Sequence, residues 1–319
     1  MVDEKRVLIV NDLHTSLIDE LTTQGFQVDY QPDITKEEIM ESIKHYHGLV
    51  IRSKVYIDEA FVKAAPNLEF IGRAGAGIDN IDEKAVSAAG IEVFNAPEGN
   101  RDAVGEHALG MLLMLLNNLY KGHKEIGQRV WDREGNRGVE LGSLTVGIFG
   151  YGNTGSAFAR KLSGFGCRII AFDKYKNKIK EPYVESVTLE DFFAESDVVS
   201  IHVPLTSETG YVINKRFFDS FKKPVYVVNT SRGKVLSLSD LLAAFEEKKI
   251  LGACLDVLEN EKIAQLTAEE KVVIEGLRAT DRVLFSPHVA GWTVESYRKI
   301  SEVLSEKILK HYLTSSRIA

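Results

Sequence analysis

Three side chains of complementary chemistry each come just after a short apolar run in the C-terminal half of the chain. Arg232 lies in Asn229-Thr230-Ser231-Arg232-Gly233, after the run 225–228. Asp256 ends a second run in Leu255-Asp256-Val257, with Glu261 just beyond it. His288 follows a third in Ser286-Pro287-His288. An arginine beside a glycine at a strand end can fork two N–H bonds onto a carboxylate. An unperturbed imidazole has a pKa of about 6.5 and exchanges a proton at neutral pH. A neighbouring carboxylate orients that ring and favours its protonated form. Together these groups suit an oxidoreductase acting on a 2-hydroxy acid. The arginine anchors the carboxylate and polarises the carbonyl, the histidine takes or returns the hydroxyl proton, and the acid holds the histidine. Glu259 competes with Glu261 for the last role.

The hydride acceptor such chemistry needs is suggested by Gly150-Tyr151-Gly152-Asn153-Thr154-Gly155. An apolar run, 144–149, precedes it. Ala157, Phe158, Leu162 and Phe165 follow at helical spacing. A second run, 168–172, then ends at Asp173, 18 residues after the last glycine. This is the layout of a dinucleotide site. The first glycine permits the tight turn, the second lets a pyrophosphate approach the backbone, and the third lets helix and strand pack. The helix N-terminus offers N–H groups and partial positive charge to the phosphates. Asp173 can accept hydrogen bonds from a free ribose 2′-hydroxyl and repels a 2′-phosphate, which favours NAD over NADP.

A second set of candidates lies nearer the N-terminus. Arg73-Ala74-Gly75-Ala76-Gly77 follows an apolar run, and its small residues expose backbone N–H groups able to bind a carboxylate. Arg52 also follows a strand-like run. With Arg73 it can meet a second anionic group on the substrate.

The elements that must position these residues alternate from the start. Short parallel strands are expected at 7–10, 27–30, 48–51 and 70–72, with helices at 17–24, 36–44 and 58–65 between them. A long amphipathic helix over 102–126, capped by Asn100, opens a second series, with strands at 144–149, 168–172, 197–201, 225–229, 251–256 and 283–285. A last helix, 294–313, carries Tyr297, Ile300, Leu304 and Ile308 at helical spacing. The polar stretch 259–275 reads as an exposed loop and short helix. The alternation predicts an α/β protein with two doubly wound parallel-sheet domains and a cleft between them, the last helix returning to the first domain. The boundaries expected are 1–98 with 292–319 for the substrate domain and 99–291 for the cofactor domain.

Composition agrees with this reading. The chain has 319 residues, 44% hydrophobic, and a formal net charge of -7. An acidic balance argues against general nucleic-acid binding. No segment has the length of a membrane span or the pattern of a signal peptide, so the cytoplasm is the expected location. Cys167, beside a strand, and Cys254, at the opening of a later one, read as buried hydrophobes in a reducing compartment. No metal site is expected. His14, His45, His47, His107, His123 and His311 read as surface or packing residues.

Taken together, the motifs resemble the D-isomer-specific 2-hydroxyacid dehydrogenase family, nearly end to end, from Gly48-Leu49-Val50-Ile51-Arg52-Ser53 to Pro287-His288-Val289-Ala290-Gly291-Trp292-Thr293. Within it, the stretch from Ile71 to Asp82 resembles the substrate loop of the 3-phosphoglycerate dehydrogenases. The resemblance implies a Rossmann cofactor domain and a discontinuous, flavodoxin-like substrate domain. It implies Arg232, Glu261 and His288 as catalytic residues. It implies substrate contacts at Arg52, Arg73, Ala74, Gly75, Ala76, Gly77 and Arg232. It implies NAD contacts at Gly150 to Gly155, Asp173, His202, Val203, Pro204, Thr209, Thr230, Ser231, Arg232, Asp256, His288 and Gly291, with Asp256 on the nicotinamide carboxamide. A homodimer built largely through the cofactor domain is also implied. Lys262 stands where the family usually has a proline after the catalytic glutamate. The chain ends soon after the returning helix, so feedback through an added regulatory domain is not expected. The activity implied is NAD-dependent oxidation of 3-phosphoglycerate, in serine biosynthesis. Reduction of glyoxylate, hydroxypyruvate or another 2-keto acid is the near alternative, and an NAD-sensing corepressor-like role the alternative of another class.

Overall fold

The computed structural model describes residues 5–176 and 178–315. The chain divides into two compact units, Met1–Asn100 with Trp292–Ala319, and Arg101–Gly291. In the first, β1 (Arg6–Ile9), α1 (Thr15–Thr23), β2 (Gln27–Tyr30), α2 (Lys36–Ser42), β3 (Gly48–Ile51), α3 (Glu59–Ala64), β4 (Phe70–Arg73), α4 (Glu83–Ala88) and β5 (Glu92–Asn95) alternate, and α12 (Val294–Ser315) joins them from the far end of the chain. The five strands are all parallel, in the order β2-β1-β3-β4-β5. That is the flavodoxin-like doubly wound order. Side chains of β1 alternate between the two faces. Leu8, with Val10 just after the strand, enters one apolar layer, and Val7 and Ile9 enter the other. The second layer includes Ile300, Leu304 and Ile308 of α12, all at 5% exposure or less. Each such burial stabilises the unit by about 1.5–3 kcal/mol, which ties α12 to this sheet.

The second unit contains most of α5 (Pro97–Leu116), then α6 (Leu119–Gly127), β6 (Thr145–Phe149), α7 (Asn153–Leu162), β7 (Arg168–Phe172), β8 (Glu185–Ser186), α8 (Leu189–Glu195), β9 (Val198–Ile201), α9 (Lys215–Asp219), β10 (Val225–Asn229), α10 (Leu238–Glu246), β11 (Ile250–Leu255), α11 (Ala268–Ala279) and β12 (Val283–Phe285). The sheet runs β8-β7-β6-β9-β10-β11-β12, all parallel. This is the Rossmann order, in which direction reverses between β6 and β9, and ligands bind beyond the carboxyl ends at such a switch. One apolar layer covers each face, so β6, β9 and β10 are buried nearly throughout.

The two parallel α/β units agree with the alternation in the sequence, and several local expectations need correcting. The helix expected over 102–126 is two helices. Asn118 takes a left-handed conformation (φ 50°), which ends α5, and Val139 N–H takes up the carbonyl of Leu116. The first of these helices begins at Pro97, whose fixed φ and missing N–H suit a first turn, so Asn100 lies inside it and does not cap it. The 259–275 stretch contains most of a twelve-residue helix, α11, started by a capping box between Thr267 and Glu270. Cys254 lies fully buried near the end of β11, not at its opening.

Candidate active site

Because β10, β11 and β12 are adjacent and parallel, the residues after them stand side by side along one edge of the sheet. After β10, the buried side chain of Asn229 shapes the turn that carries Arg232. Its Oδ1 accepts from Ser231 N (3.0 Å) and Ser231 Oγ (2.8 Å), and its Nδ2 donates to Arg232 O (3.2 Å). The next residue must be glycine, since a Cβ at Gly233 would stand 1.8 Å from Leu258 O. The Arg232 turn is thereby packed against the backbone that leads to Glu259 and Glu261. Arg232 Nη1 donates to Ser231 O at 2.8 Å.

Of the two glutamates, Glu261 faces the histidine. His288 Nδ1 stands 2.9 Å from Glu261 Oε1 and 3.0 Å from Oε2, and both side chains are about half exposed. Glu259 is committed elsewhere. It accepts from Leu238 N (2.6 Å), at the start of α10, and from Tyr211 Oη (3.3 Å). With Nδ1 held by a carboxylate, the imidazole leaves Nε2 for a proton partner.

His288 itself has φ 54°, an uncommon conformation for a residue with a Cβ. Asp256, 1% exposed, holds the loop in that shape. Its Oδ1 accepts from Ser286 Oγ (2.6 Å) and Val289 N (3.0 Å), its Oδ2 accepts from Ala290 N (2.9 Å), and its carbonyl accepts from His288 N (2.8 Å). His107, read from sequence as a packing or surface residue, joins this cluster. Its Nε2 lies 2.9 Å from Ser286 Oγ and 3.5 Å from Asp256 Oδ1. Asn229, Ser286 and His107 carry no signal in the sequence, because their partners become neighbours only in the fold.

The glycine turn after β6 is closed below and open above. Gly150 has φ +95°, and a Cβ on Gly155 would stand 2.3 Å from Gly150 O, whereas a Cβ on Gly152 would meet no heavy atom within 4 Å. Gly152 occupies the N-cap position of α7 and offers no side chain to cap it. Open space over uncapped helix amides fits a pyrophosphate. After β10, the buried Thr230 Oγ1 has no hydrogen-bond partner among the described residues. Asp173 Oδ2 accepts from Tyr151 N (2.8 Å), and Oδ1 accepts from Tyr175 N (2.9 Å) and Lys176 N (3.1 Å), so its carboxylate fixes the turn it faces. The nearby lysines are engaged, Lys174 with Glu208 and Lys176 with Tyr151 O (2.7 Å).

His202 lies beneath the turn. Its ring nitrogens contact Ser200 Oγ (2.8 Å) and Thr154 Oγ1 (3.2 Å), and burial pushes its imidazole down to about 3. Val203 packs against Gly150. The hydroxyl of Thr209 donates to Pro204 O (2.5 Å) and accepts from Thr206 N (2.8 Å), building the loop there. Gly291 is the last residue of this unit.

In the first unit, Arg52 follows β3 and Arg73 ends the neighbouring β4, with Ile51 in register with Arg73. Ala74 N bonds Ile51 O (2.8 Å), Gly75 O accepts from Ala96 N (2.8 Å), and Ala76 O accepts from Asn95 Nδ2 (2.7 Å), so carbonyls of the 74–76 stretch are turned toward the protein. Gly75 has φ +143°, and Arg73 Nη1 would lie 1.8 Å from a Cβ there. The guanidinium of Arg52 pairs with no carboxylate among the described residues and lies 4.0 Å from the ring centroid of Trp292. Among the described residues, no group of three or more His, Cys, Asp or Glu is placed to hold a metal ion, and no helix is long and apolar enough to cross a membrane.

Known proteins resemble this chain in sequence and in fold. Residues 109–290 match the family model for the NAD binding domain of D-isomer specific 2-hydroxyacid dehydrogenases. A D-3-phosphoglycerate dehydrogenase of Archaeoglobus fulgidus is 31% identical over 306 residues, covering 95% of this chain and 56% of that protein. A hydroxypyruvate reductase of Thermotoga maritima is 34% identical over 277 residues, covering 87% of this chain and 88% of that protein. The chain thus spans little more than half the length of the first relative and most of the second. Among solved structures, D-lactate dehydrogenase from Aquifex aeolicus, complexed with NAD and lactic acid, superposes with a TM-score of 0.82 at 25% identity, over 98% of this chain and 96% of that one. The chain belongs to the D-isomer specific 2-hydroxyacid dehydrogenase family, with residues 109–290 as its NAD-binding domain.

Proposed function

We propose that the protein is an NAD-dependent D-2-hydroxyacid dehydrogenase acting on 3-phosphoglycerate and 3-phosphohydroxypyruvate, with Arg232, Glu261 and His288 as its catalytic residues. The pairing of His288 Nδ1 with Glu261 carries the reading. It leaves Nε2 to remove the hydroxyl proton in oxidation and return it in reduction. Glu261 fixes the ring and stabilises the imidazolium that forms. Arg232 forks onto the substrate carboxylate and polarises the carbonyl. NAD, when bound, supplies the hydride acceptor or donor. The glycine turn with the first turn of α7 would hold its pyrophosphate, Asp173 its ribose hydroxyls, and Thr230 its nicotinamide end, the Asp256 carboxylate being taken up by the loop that carries His288. Loop amides of 75–77 would bind the substrate carboxylate, the Ala74 amide being bonded to Ile51 O.

For the substrate, the supporting observation is Arg52, a desolvated guanidinium paired with no carboxylate, which suits a distal phosphoryl group. Hydroxypyruvate is the second reading, favoured by the near-complete overlap with the Thermotoga relative. Steady-state reduction of 3-phosphohydroxypyruvate, hydroxypyruvate and glyoxylate with NADH separates them. A higher kcat/KM for either unphosphorylated acid overturns the phosphoglycerate assignment, and no turnover with any of them overturns the enzyme.

Exposed apolar side chains on α6 and the segment after it, Leu119, Ile126, Val130, Trp131 and Val139, supply the face for a homodimer. Sedimentation of the protein as a monomer at micromolar concentration would exclude it.

A further inference from the structure

Arg52 follows β3 with its backbone fixed. Its N–H donates to Asn11 Oδ1 (2.8 Å) and its carbonyl accepts from Asn80 Nδ2 (3.2 Å). Its guanidinium carries no such anchor. Burial lowers its pKa, no carboxylate among the described residues pairs with it, and its partner is the face of Trp292, 4.0 Å away. The indole attracts the cation but accepts none of its in-plane N–H bonds. The edge of the guanidinium is therefore left for an oxyanion.

The indole is itself held. Tyr297 packs edge-on against it (5.6 Å, 86°), and His14 packs edge-on against Tyr297 (5.9 Å, 80°). Tyr297 Oη donates to Asp12 Oδ1 at 3.0 Å, and Tyr30 Oη donates to the same oxygen at 3.0 Å. Asp12 is near enough to act on Arg52 through its charge, but two phenols occupy that oxygen and Arg52 does not ion-pair with it.

We propose that Trp292 is a positioning residue that holds the Arg52 guanidinium flat and apart from Asp12, ready for a phosphoryl group, and so sets the preference for 2-keto acids with a second, distal anion. The proposal rests on the reading that Arg52 meets the distal group of the substrate, and deepens it.

The test compares Trp292→Leu, Trp292→Phe and Arg52→Ala in NADH-linked reduction of 3-phosphohydroxypyruvate and hydroxypyruvate. Loss of the aromatic face in Trp292→Leu raises the KM for 3-phosphohydroxypyruvate about three- to thirty-fold, the range of a cation–π contact. It leaves kcat and the KM for hydroxypyruvate near native values. Trp292→Phe, which keeps a weaker face, recovers part of the loss. If Arg52→Ala abolishes the preference for the phosphorylated acid and Trp292→Leu does not, the positioning role is wrong and the assignment of Arg52 stands. If Arg52→Ala leaves the preference intact, the assignment of Arg52 is itself wrong and the proposal falls with it. An equal loss for both substrates in Trp292→Leu, not recovered by phenylalanine, shows only a packing role and overturns the proposal.

Discussion

Asp256→Asn tests whether the His288 loop is held from below by one buried carboxylate. In the native protein that carboxylate receives three hydrogen bonds, from Ser286 Oγ, Val289 N and Ala290 N. Asparagine has one carbonyl oxygen and one NH2 group. Whichever way the amide faces, a backbone N–H of the loop meets another donor. A lost hydrogen bond to a charged partner costs about 1.5–3 kcal/mol. The loop amide can regain water by moving, so the loss appears as displacement of His288. At about 1.4 kcal/mol per tenfold, kcat/KM falls roughly 10- to 150-fold. Ser286→Ala removes one of the three donors and leaves both amides paired, so the loop keeps its shape and kcat/KM falls less than in Asp256→Asn. Steady-state kinetics and fluorescence titration with NADH are read side by side. The clamp predicts that turnover falls far more than NADH affinity. Near-native kcat/KM in Asp256→Asn would refute it, and so would a loss of NADH affinity equal to the loss of turnover, which would assign Asp256 to the nicotinamide carboxamide instead.

His288→Ala should lower kcat about 10²- to 10⁴-fold with NADH binding retained, the range for loss of a general acid–base group, and near-native turnover would remove His288 from the mechanism. Glu261→Gln keeps the size of the side chain but loses the charge, so kcat should fall while Glu259→Gln affects stability more than turnover; the reverse order in a paired assay would reassign the acid. NADH should be preferred over NADPH at equal concentration, because Asp173 repels a 2′-phosphate and Lys174 and Lys176 are already engaged; a kcat/KM comparison showing NADPH preference contradicts this. Burial depresses the pKa of His202 to about 3, against about 6.5 for a free imidazole. The unfolded chain then binds a proton that the folded chain does not, so this stabilisation is complete above about pH 6.5 and declines toward pH 3, by at most about 1.4 kcal/mol per pH unit. Urea unfolding between pH 6.5 and 5, above the range of carboxylates held low by partners such as Glu185 beside Arg168, should show that slope, and His202→Gln should flatten it; an unchanged slope in the variant shows that another group is responsible.

What the sequence displays is what parallel sheets demand of it. Strands covered on both faces must be apolar along their length, so β1, β3, β6, β9 and β10 stand out. By contrast β5 and β8 were not expected. They lie at sheet edges, and Glu92–Asn95 and Glu185–Ser186 carry the polar residues an edge tolerates. The break at Asn118 was hidden inside a continuous amphipathic pattern, because the left-handed residue is set by local backbone choice and by the distant Val139. At the site, Arg232 and His288 were legible from their places after strands. The clamp by Asp256 was not, since its partners are mostly backbone amides more than thirty positions away, which have no side-chain signature. The same holds for Arg52 and Trp292, which are separated by most of the chain and joined only when α12 returns to the first sheet.

The order of the seven strands also measures distance and angle. From the end of β7, where Asp173 stands, to the end of β11, where Asp256 stands, there are four lateral steps. At about 4.8 Å each they span roughly 19 Å. Each step also rotates by about 20–25°, so the two aspartates are set roughly a quarter turn apart. A molecule touching both must therefore be long and must swivel midway along its length. A stiff planar compound of the same size would reach one end and miss the other, so the sheet selects its occupant by contour before any side chain is consulted.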